Sequence, residues 1–175
     1  NVYLGDGIID FNQRQWLGVM EREGKDYLVS FSLLYQFQEP KLIHEAKDFI
    51  GYITLSPNSE KLAWVEWQRP FMPWEQSGLY IGDVSKTQSI SNILFVSGSD
   101  FNKKNKVSVF QPCWLNNNQL LISEDSNGWW NIHLVEINNE MQLDHLNISN
   151  IKEEFGLPQW IAGMSIISCY DDQIV

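Results

Sequence analysis

Two adjacent carboxylates, Glu153 and Glu154, are the residues of this sequence best suited to bind a charged group. A carboxylate accepts strong, charge-assisted hydrogen bonds from an ammonium group, so the pair could hold a free amino group. The residues that follow, Phe155-Gly156-Leu157, place the pair in a loop rather than within a strand. The competing interpretation is a solvated acidic loop in a chain that is already acidic.

A second group with chemical potential is the segment Arg69-Pro70-Phe71-Met72-Pro73-Trp74. Because proline donates no ladder hydrogen bond, this segment is predicted to leave the sheet between two strands. Its apolar side chains, Trp74 among them, could line a hydrophobic pocket or pack on the sheet beneath. Arg69 could bind a carboxylate of a ligand with two hydrogen bonds, or form a structural ion pair with Glu66 or Glu75.

A third group is the pair Trp129 and Trp130, which follows a turn at Asn127-Gly128. Successive strand residues point to opposite faces of a sheet, so only one of the two rings can enter a core. The other ring faces a neighbouring sheet or solvent. We take Trp129 as the candidate for contact with a ligand or a further domain.

The serines and histidines do not form a recognisable nucleophilic site. The sequence contains no Gly-x-Ser-x-Gly turn, the strained elbow that exposes a catalytic serine. His44, His133 and His145 have no serine partner suggested by spacing and are predicted to be structural or at the surface. No set of His, Cys, Asp and Glu has ligand spacing. We therefore predict no catalytic residue, no metal and no cofactor in this chain.

Composition and charge exclude several classes of partner. The net charge of −10 is opposite to what a phosphate-binding surface needs, so no nucleic acid partner is predicted. The basic cluster Lys103-Lys104-Asn105-Lys106 is predicted to be a solvated loop. No apolar run approaches the roughly 18 residues of a membrane span and nothing resembles a secretory signal, so we expect a cytoplasmic protein without a membrane partner. Cys113 and Cys169 are predicted to be buried free thiols.

A sequence motif that occurs twice indicates that strands rather than helices position these residues. The first copy runs from Leu55-Ser56-Pro57-Asn58 to a third strand at 78–84, and the second from Trp114-Leu115-Asn116-Asn117 to 130–135. The residues of each copy predict the same order of elements: a strand, a polar turn, a second strand, a glycine-containing loop and a third strand. Weaker copies of the turn begin near Asp10 and Asp171, which makes the period about 45 to 60 residues, the length of a four-stranded propeller blade.

The whole pattern predicts an all-β chain. The predicted strands are 7–10, 15–21, 26–32, 49–55, 61–66, 78–83, 92–96, 109–114, 120–123, 130–137 and 163–170. We predict a partial β-propeller of about three blades of antiparallel sheet, forming one sector with blades at 7–50, 51–108 and 109–160 and the start of another at 161–175. A complete propeller needs at least about four blades, so we expect a piece of a longer protein, with open strand edges through which copies could associate.

The residues from Leu62-Ala63-Trp64-Val65-Glu66-Trp67 to Pro70-Phe71-Met72-Pro73-Trp74 resemble the propeller domain of the prolyl oligopeptidase family of serine peptidases. The similarity is to the dipeptidyl aminopeptidase and acylaminoacyl-peptidase branch, in which a strand reading LAW…W precedes a loop reading PxMPW. Three further blocks agree in order, at 110–114, 126–131 and 153–160, and the opening at 7–10 is also similar. The resemblance therefore covers nearly the whole chain.

This resemblance implies a propeller of about seven or eight blades over a C-terminal α/β-hydrolase domain that carries a Ser-Asp-His triad. The propeller would admit short peptide substrates and exclude folded proteins, and Glu153 and Glu154 would receive the substrate's amino terminus, as propeller glutamates do in some relatives. Two alternatives stay open: a stand-alone propeller-type protein-interaction module without peptidase activity, and a periplasmic propeller that senses sugars or peptides. Propellers host many functions, so the fold alone does not separate these.

Overall fold

The computed structural model describes residues 1–35, 39–85, 89–101, 106–138, 140, 142–157, 159–161, 163–170 and 173–174, the last two and Tyr170 as backbone only. Two predicted features lie outside these residues: most of the basic cluster at 103–106, and the turn at Asp171-Asp172.

Within the described residues the chain forms fourteen strands and no helix. The strands are β1 (Val2–Asp10), β2 (Gln15–Arg22), β3 (Lys25–Ser32), β4 (Lys41–Glu45), β5 (Phe49–Leu55), β6 (Lys61–Trp67), β7 (Gly78–Val84), β8 (Ile90–Gly98), β9 (Val109–Trp114), β10 (Gln119–Glu124), β11 (Asn131–Ile137), β12 (Leu143–Asn147), β13 (Cys169–Tyr170) and β14 (Gln173–Ile174). β1–β4, β5–β8 and β9–β12 make three antiparallel sheets in sequence order, and β13 pairs with β14.

The three sheets pack face to face, and their first strands β1, β5 and β9 lie side by side. Successive side chains of β6 point to opposite faces of its sheet, so this strand contributes to two hydrophobic cores. Leu62 and Trp64 join the core shared with the first sheet, whereas Ala63 and Val65 join the core shared with the third. Sequential four-stranded sheets with adjacent inner strands are the blades of a β-propeller. The prediction of an all-β partial propeller with about three blades is confirmed.

Three details of the strand prediction were wrong. The last strands of the first and third sheets, β4 and β12, are absent from the predicted strands because their side chains are mostly exposed or half-buried and leave no apolar alternation. The predicted strand at 163–170 is a strand only at Cys169–Tyr170. The sheets span 2–45, 49–98 and 109–147. The division of the chain into blades at 50, 108 and 160 stays a prediction.

The buried carboxylate of Asp10 joins the turn after β1 to the turn after β5. Asp10 Oδ1 accepts hydrogen bonds from the backbone N–H groups of Asn12 (3.0 Å) and Gln13 (3.1 Å) and from Ser59 Oγ (2.8 Å). Its Oδ2 accepts the amide of Gln15 at 2.9 Å. One carboxylate therefore closes its own turn and fixes the neighbouring sheet, which gives the repeated polar turns a structural role.

Two buried glutamates join the sheets at equivalent places. Glu66 of β6 lies 2.7 Å from His44 Nε2 on the last strand of the preceding sheet, and Glu124 of β10 accepts a hydrogen bond from Ser97 Oγ in the same relation. Glu66 also accepts the indole N–H of Trp64 at 2.8 Å. Because each carboxylate lies near the start of a loop, these contacts hold the ends of successive sheets together.

The buried His133 makes the fold sensitive to acid. Burial lowers the pKa of His133 below its ordinary 6.5, although Glu124 opposes that shift, and His145 adds to it. The unfolded chain therefore takes up this proton first as the pH falls, so stability declines from about pH 6.5 downward. We expect His133→Asn to flatten the decline in the free energy of unfolding between pH 7 and 5, by at most about 1.4 kcal/mol per pH unit.

Urea denaturation at a series of pH values measures this slope. The matched control is His145→Asn, because this exposed residue of β12 contributes only the smallest cause of the pKa shift of His133, so its removal should reduce the slope far less than His133→Asn does. Identical slopes for the wild type and His133→Asn would show that this histidine does not cause the decline.

Candidate functional site

An open cleft of about 430 Å³ lies at one end of the second and third sheets. It is lined by Trp74, Trp130, Glu154, Gly156, Leu157 and Trp160. These residues come from the loop between β6 and β7, the position before β11 and the segment after β12. Because consecutive strands run antiparallel, the loop after each second strand and the segment after each fourth strand emerge at the same end, so these parts of the chain meet there.

The loop that carries Trp74 is held by its own turn and by the third sheet. The carbonyl of Met72 accepts hydrogen bonds from the N–H groups of Glu75 (2.9 Å) and Gln76 (3.2 Å). In turn, the Glu75 carboxylate accepts a hydrogen bond from the N–H of Met72 at 2.9 Å. The carbonyl of Pro73 accepts a hydrogen bond from Ser108 Oγ, just before β9. These contacts fix the loop across the boundary between two sheets and place Trp74 in the cleft.

The aromatic wall of the cleft is formed by rings in contact. Trp74 and Trp160 lie with ring centroids 4.5 Å apart at 51°, and Trp130 meets the buried Phe110 edge-on at 5.7 Å. Gly156 lies against Trp130 so closely that an added Cβ would come within 2.5 Å of the ring. Only glycine fits at this position, so the segment after β12 can cover the face of Trp130.

Glu154 supplies the charge of the cleft. One carboxylate oxygen, Oε2, accepts the backbone N–H of Trp130 at 2.8 Å, which orients this exposed side chain on the aromatic wall. Glu124 and Asp125 add to the negative charge nearby. Burial is the main cause that raises the pKa of Asp125, and the negative charges of Glu124 and Glu154 raise it further. The cleft therefore combines apolar rings with negative charge, which suits a cation with an apolar body.

The other predicted site residues lie outside the lining of this cleft. Glu153 is exposed, and its carbonyl accepts the amide of Asn131 at 3.2 Å. Trp129 is 37% exposed, while its neighbour Trp130 enters the cleft. The sequence pattern brought Trp74 and Glu154 to attention but did not single out Trp160 as a wall residue. Its only signal was its place in the block at 153–160.

Arg69 joins the first and second sheets. Its Nη1 lies 3.4 Å from Asp48 Oδ1, its Nη2 donates to the carbonyl of Gly24 at 3.0 Å, and its guanidinium lies 4.9 Å from the ring centre of Phe49. The ion pair is therefore with Asp48 rather than with Glu66 or Glu75. Glu66 is already bound to His44, and Glu75 closes its own turn.

Metal-binding clusters and membrane-spanning helices are both absent from the residues that the structure describes. In that part of the chain, no group of three or more His, Cys, Asp or Glu side chains is arranged to hold a metal ion. The same residues include no helix long and apolar enough to cross a bilayer.

A propeller sector with an aromatic, acidic cleft at one end is thus the class of structure that this chain forms. Its fold is found in a puromycin-hydrolyzing peptidase of Mycobacterium tuberculosis, with a TM-score of 0.83 and 24% identity over 98% of this chain. A puromycin hydrolase is similar, with a TM-score of 0.81 and 21% identity over 96% of the chain. Prolyl oligopeptidase B from Galerina marginata is more distant, with a TM-score of 0.56 and 8% identity over 79%.

The chain spans about a quarter of the length of the first two peptidases (26% in each case). No family model and no curated protein matches the sequence. At these identities the likeness is one of fold. The resemblance to the propeller part of such peptidases, first noted in the sequence motifs, is confirmed at that level.

Proposed function

We propose that this chain is the non-catalytic propeller segment of a serine peptidase of the prolyl oligopeptidase family. The observation that carries the proposal is the match of 98% of the chain to one quarter of a puromycin-hydrolyzing peptidase. Because the sequence has no Gly-x-Ser-x-Gly elbow, bond cleavage belongs to an α/β-hydrolase domain elsewhere in the parent protein.

In this proposal the propeller limits which substrates reach the hydrolase domain. The inner strands of the three sheets line an open pocket of about 190 Å³, whose walls include Asp6, Tyr52, Gln111 and Met164. In the complete propeller these strands line the central channel, which admits short peptide substrates and excludes folded proteins. The apolar outer face of the first sheet, with Val2 and Leu4 half exposed, is then covered by a further blade of the parent. Association of copies through open edges stays a prediction.

The cleft binds the amino-terminal end of the peptide. Glu154 is oriented through Oε2 by the N–H of Trp130, so its carboxylate meets the ammonium group with little rearrangement. Trp74 and Trp160 hold the apolar side chain beside it. Glu153, exposed and next in sequence, adds negative charge at the rim.

The most direct test of the proposal is the gene downstream of Val175. It is expected to encode a Gly-x-Ser-x-Gly motif followed by an aspartate and a histidine of the triad. A stop codon shortly after Val175 would overturn the peptidase proposal and favour the protein-interaction module.

The role of Glu154 is tested in the parent enzyme. We expect Glu154→Gln to raise KM about 10- to 100-fold for chromogenic dipeptides with a free amino terminus, because a charge-assisted hydrogen bond is lost. Amino-acetylated versions of the same peptides lack the ammonium group and should show unchanged KM. Asp144→Asn removes the same charge from an exposed position on β12 and serves as the matched control. Equal changes for free and acetylated substrates would assign Glu154 a structural role only.

A further inference from the structure

The two cysteines of the chain meet at the boundary between the third sheet and the strand pair β13–β14. Cys113 lies on β9 and Cys169 on β13, 56 positions apart in sequence, with sulfur atoms 2.8 Å apart. Both side chains are half-buried against a small apolar core that includes Leu121 and Ile167. The sulfur atoms therefore have to approach each other by less than about 1 Å to reach the length of about 2.05 Å of a disulfide bond.

A second contact keeps the two sulfur atoms facing each other. Gln111, two residues before Cys113, accepts the N–H of Ile167 through Oε1 at 3.2 Å. Its amide nitrogen donates to the carbonyl of Ile167 at 2.6 Å and to Ser165 Oγ at 2.5 Å. The segment just before Cys169 is thus bound to β9 through one side chain, so the thiols are held together by the fold as well as by their own contact.

We propose that Cys113 and Cys169 form a reversible disulfide that ties the third sheet to the strand pair that follows it. The oxidant is a small-molecule disulfide such as glutathione disulfide. The thiolate of Cys113 attacks one sulfur of that disulfide, its S–S bond breaks, and one glutathione thiolate leaves. The thiolate of Cys169 then attacks the sulfur of Cys113 and releases the second glutathione thiolate. The two protons lost by the cysteines end on the two glutathione thiols, so two protein thiols are oxidised and one glutathione disulfide is reduced.

The pH dependence of the reaction follows from the surroundings of Cys169. Burial, followed by the contact with Cys113, raises the pKa of Cys169 to about 12. Only the thiolate is nucleophilic, and the burial of Cys169 persists once Cys113 carries glutathione, so the second step is slow near neutral pH and becomes faster as the pH rises.

The proposal is tested on the chain itself, which contains no other cysteine. After incubation with glutathione disulfide, we expect both thiols to disappear from titration with Ellman's reagent in denaturant, with no glutathione retained. Peptide mass spectrometry should find Cys113 linked to Cys169 within one chain. Because the bond closes a long loop, the oxidised chain should melt about 5–15 °C higher than the reduced chain, and dithiothreitol should reverse the change.

Cys113→Ser and Cys169→Ser provide the comparison. Each variant should retain one glutathione per chain and show no rise in melting temperature, because the second thiol that would displace glutathione is missing. Circular dichroism confirms that both variants fold. If the wild type retains two glutathiones, forms dimers linked by disulfides, or keeps two free thiols at pH 9, Cys113 and Cys169 do not join within one chain and the proposal is overturned. This test does not depend on the proposed peptidase function.

Discussion

Replacing Trp64 with alanine is expected to lower the free energy of unfolding by about 3–5 kcal/mol. Trp64 is fully buried between the first and second sheets. Its ring stacks on Tyr80 with centroids 6.0 Å apart and lies 5.1 Å from the ring of His44. Its indole N–H donates to Glu66 at 2.8 Å, so the variant also removes a hydrogen-bond donor from a buried carboxylate. Urea denaturation followed by far-ultraviolet circular dichroism measures the change.

The matched control for this variant is Trp160→Ala, which removes the same side chain from a position that is 71% exposed. Trp160 contacts Trp74 at the cleft but closes no core, so a loss below about 1 kcal/mol is expected. Equal losses for the two variants would mean that the cavity left by Trp64 collapses without cost. In that case the two sheets would not depend on this ring for their packing.

Replacing Asp10 with alanine is expected to destabilise the chain by about 3 kcal/mol, because four hydrogen bonds converge on its carboxylate. Asp10 is 1% exposed, and its partner Gln15 is fully buried. Truncation leaves the Gln15 amide and Ser59 Oγ without this acceptor and separates the turn after β1 from the turn after β5. The loss is again measured by urea denaturation, with Asp144→Ala, which truncates an exposed aspartate, as the control.

Asp10→Asn separates the loss of the hydrogen bonds from the loss of the charge. The Oε1 atom of Gln15 is buried without a hydrogen-bond partner among the described residues. If the Gln15 amide turns over, Oε1 can accept a hydrogen bond from the side-chain amide that the substitution introduces, so the network survives in large part. We expect a loss of about 1 kcal/mol for this variant. A loss as large as that of Asp10→Ala would show that the charge itself, rather than the geometry, stabilises the two turns.

The local units of the fold could be predicted because short-range rules decide them. The sequence motif that begins at Leu55 and again at Trp114 combines alternating apolar residues with a polar turn. In the structure the first copy forms β5 and β6 around the turn at Ser56-Pro57-Asn58-Ser59, closed by the Ser59 N–H on the Ser56 carbonyl at 2.8 Å. Alternation and turn chemistry act over a few residues, so one sequence suffices to detect them.

The outer strands β4 and β12 could not be predicted from the alternation of apolar residues. β4 and β12 form because the third strand of each sheet presents free backbone groups, not because their own side chains bury an apolar face. The apolar residues Ile166 and Ile167 were predicted to lie in a strand but do not. Their backbone is bound by the side chain of Gln111 instead of a strand ladder.

The sequence by itself determined the all-β class, the blade repeat and the residue types of the site, Trp74 and Glu154 among them. Only the tertiary structure decided that these two residues meet in one cleft, that Arg69 pairs with Asp48, and that Cys113 lies against Cys169. The reason is physical. Alternation and turn preferences are written into neighbouring residues, whereas the meeting of distant side chains depends on the antiparallel order of the strands and on how the sheets pack.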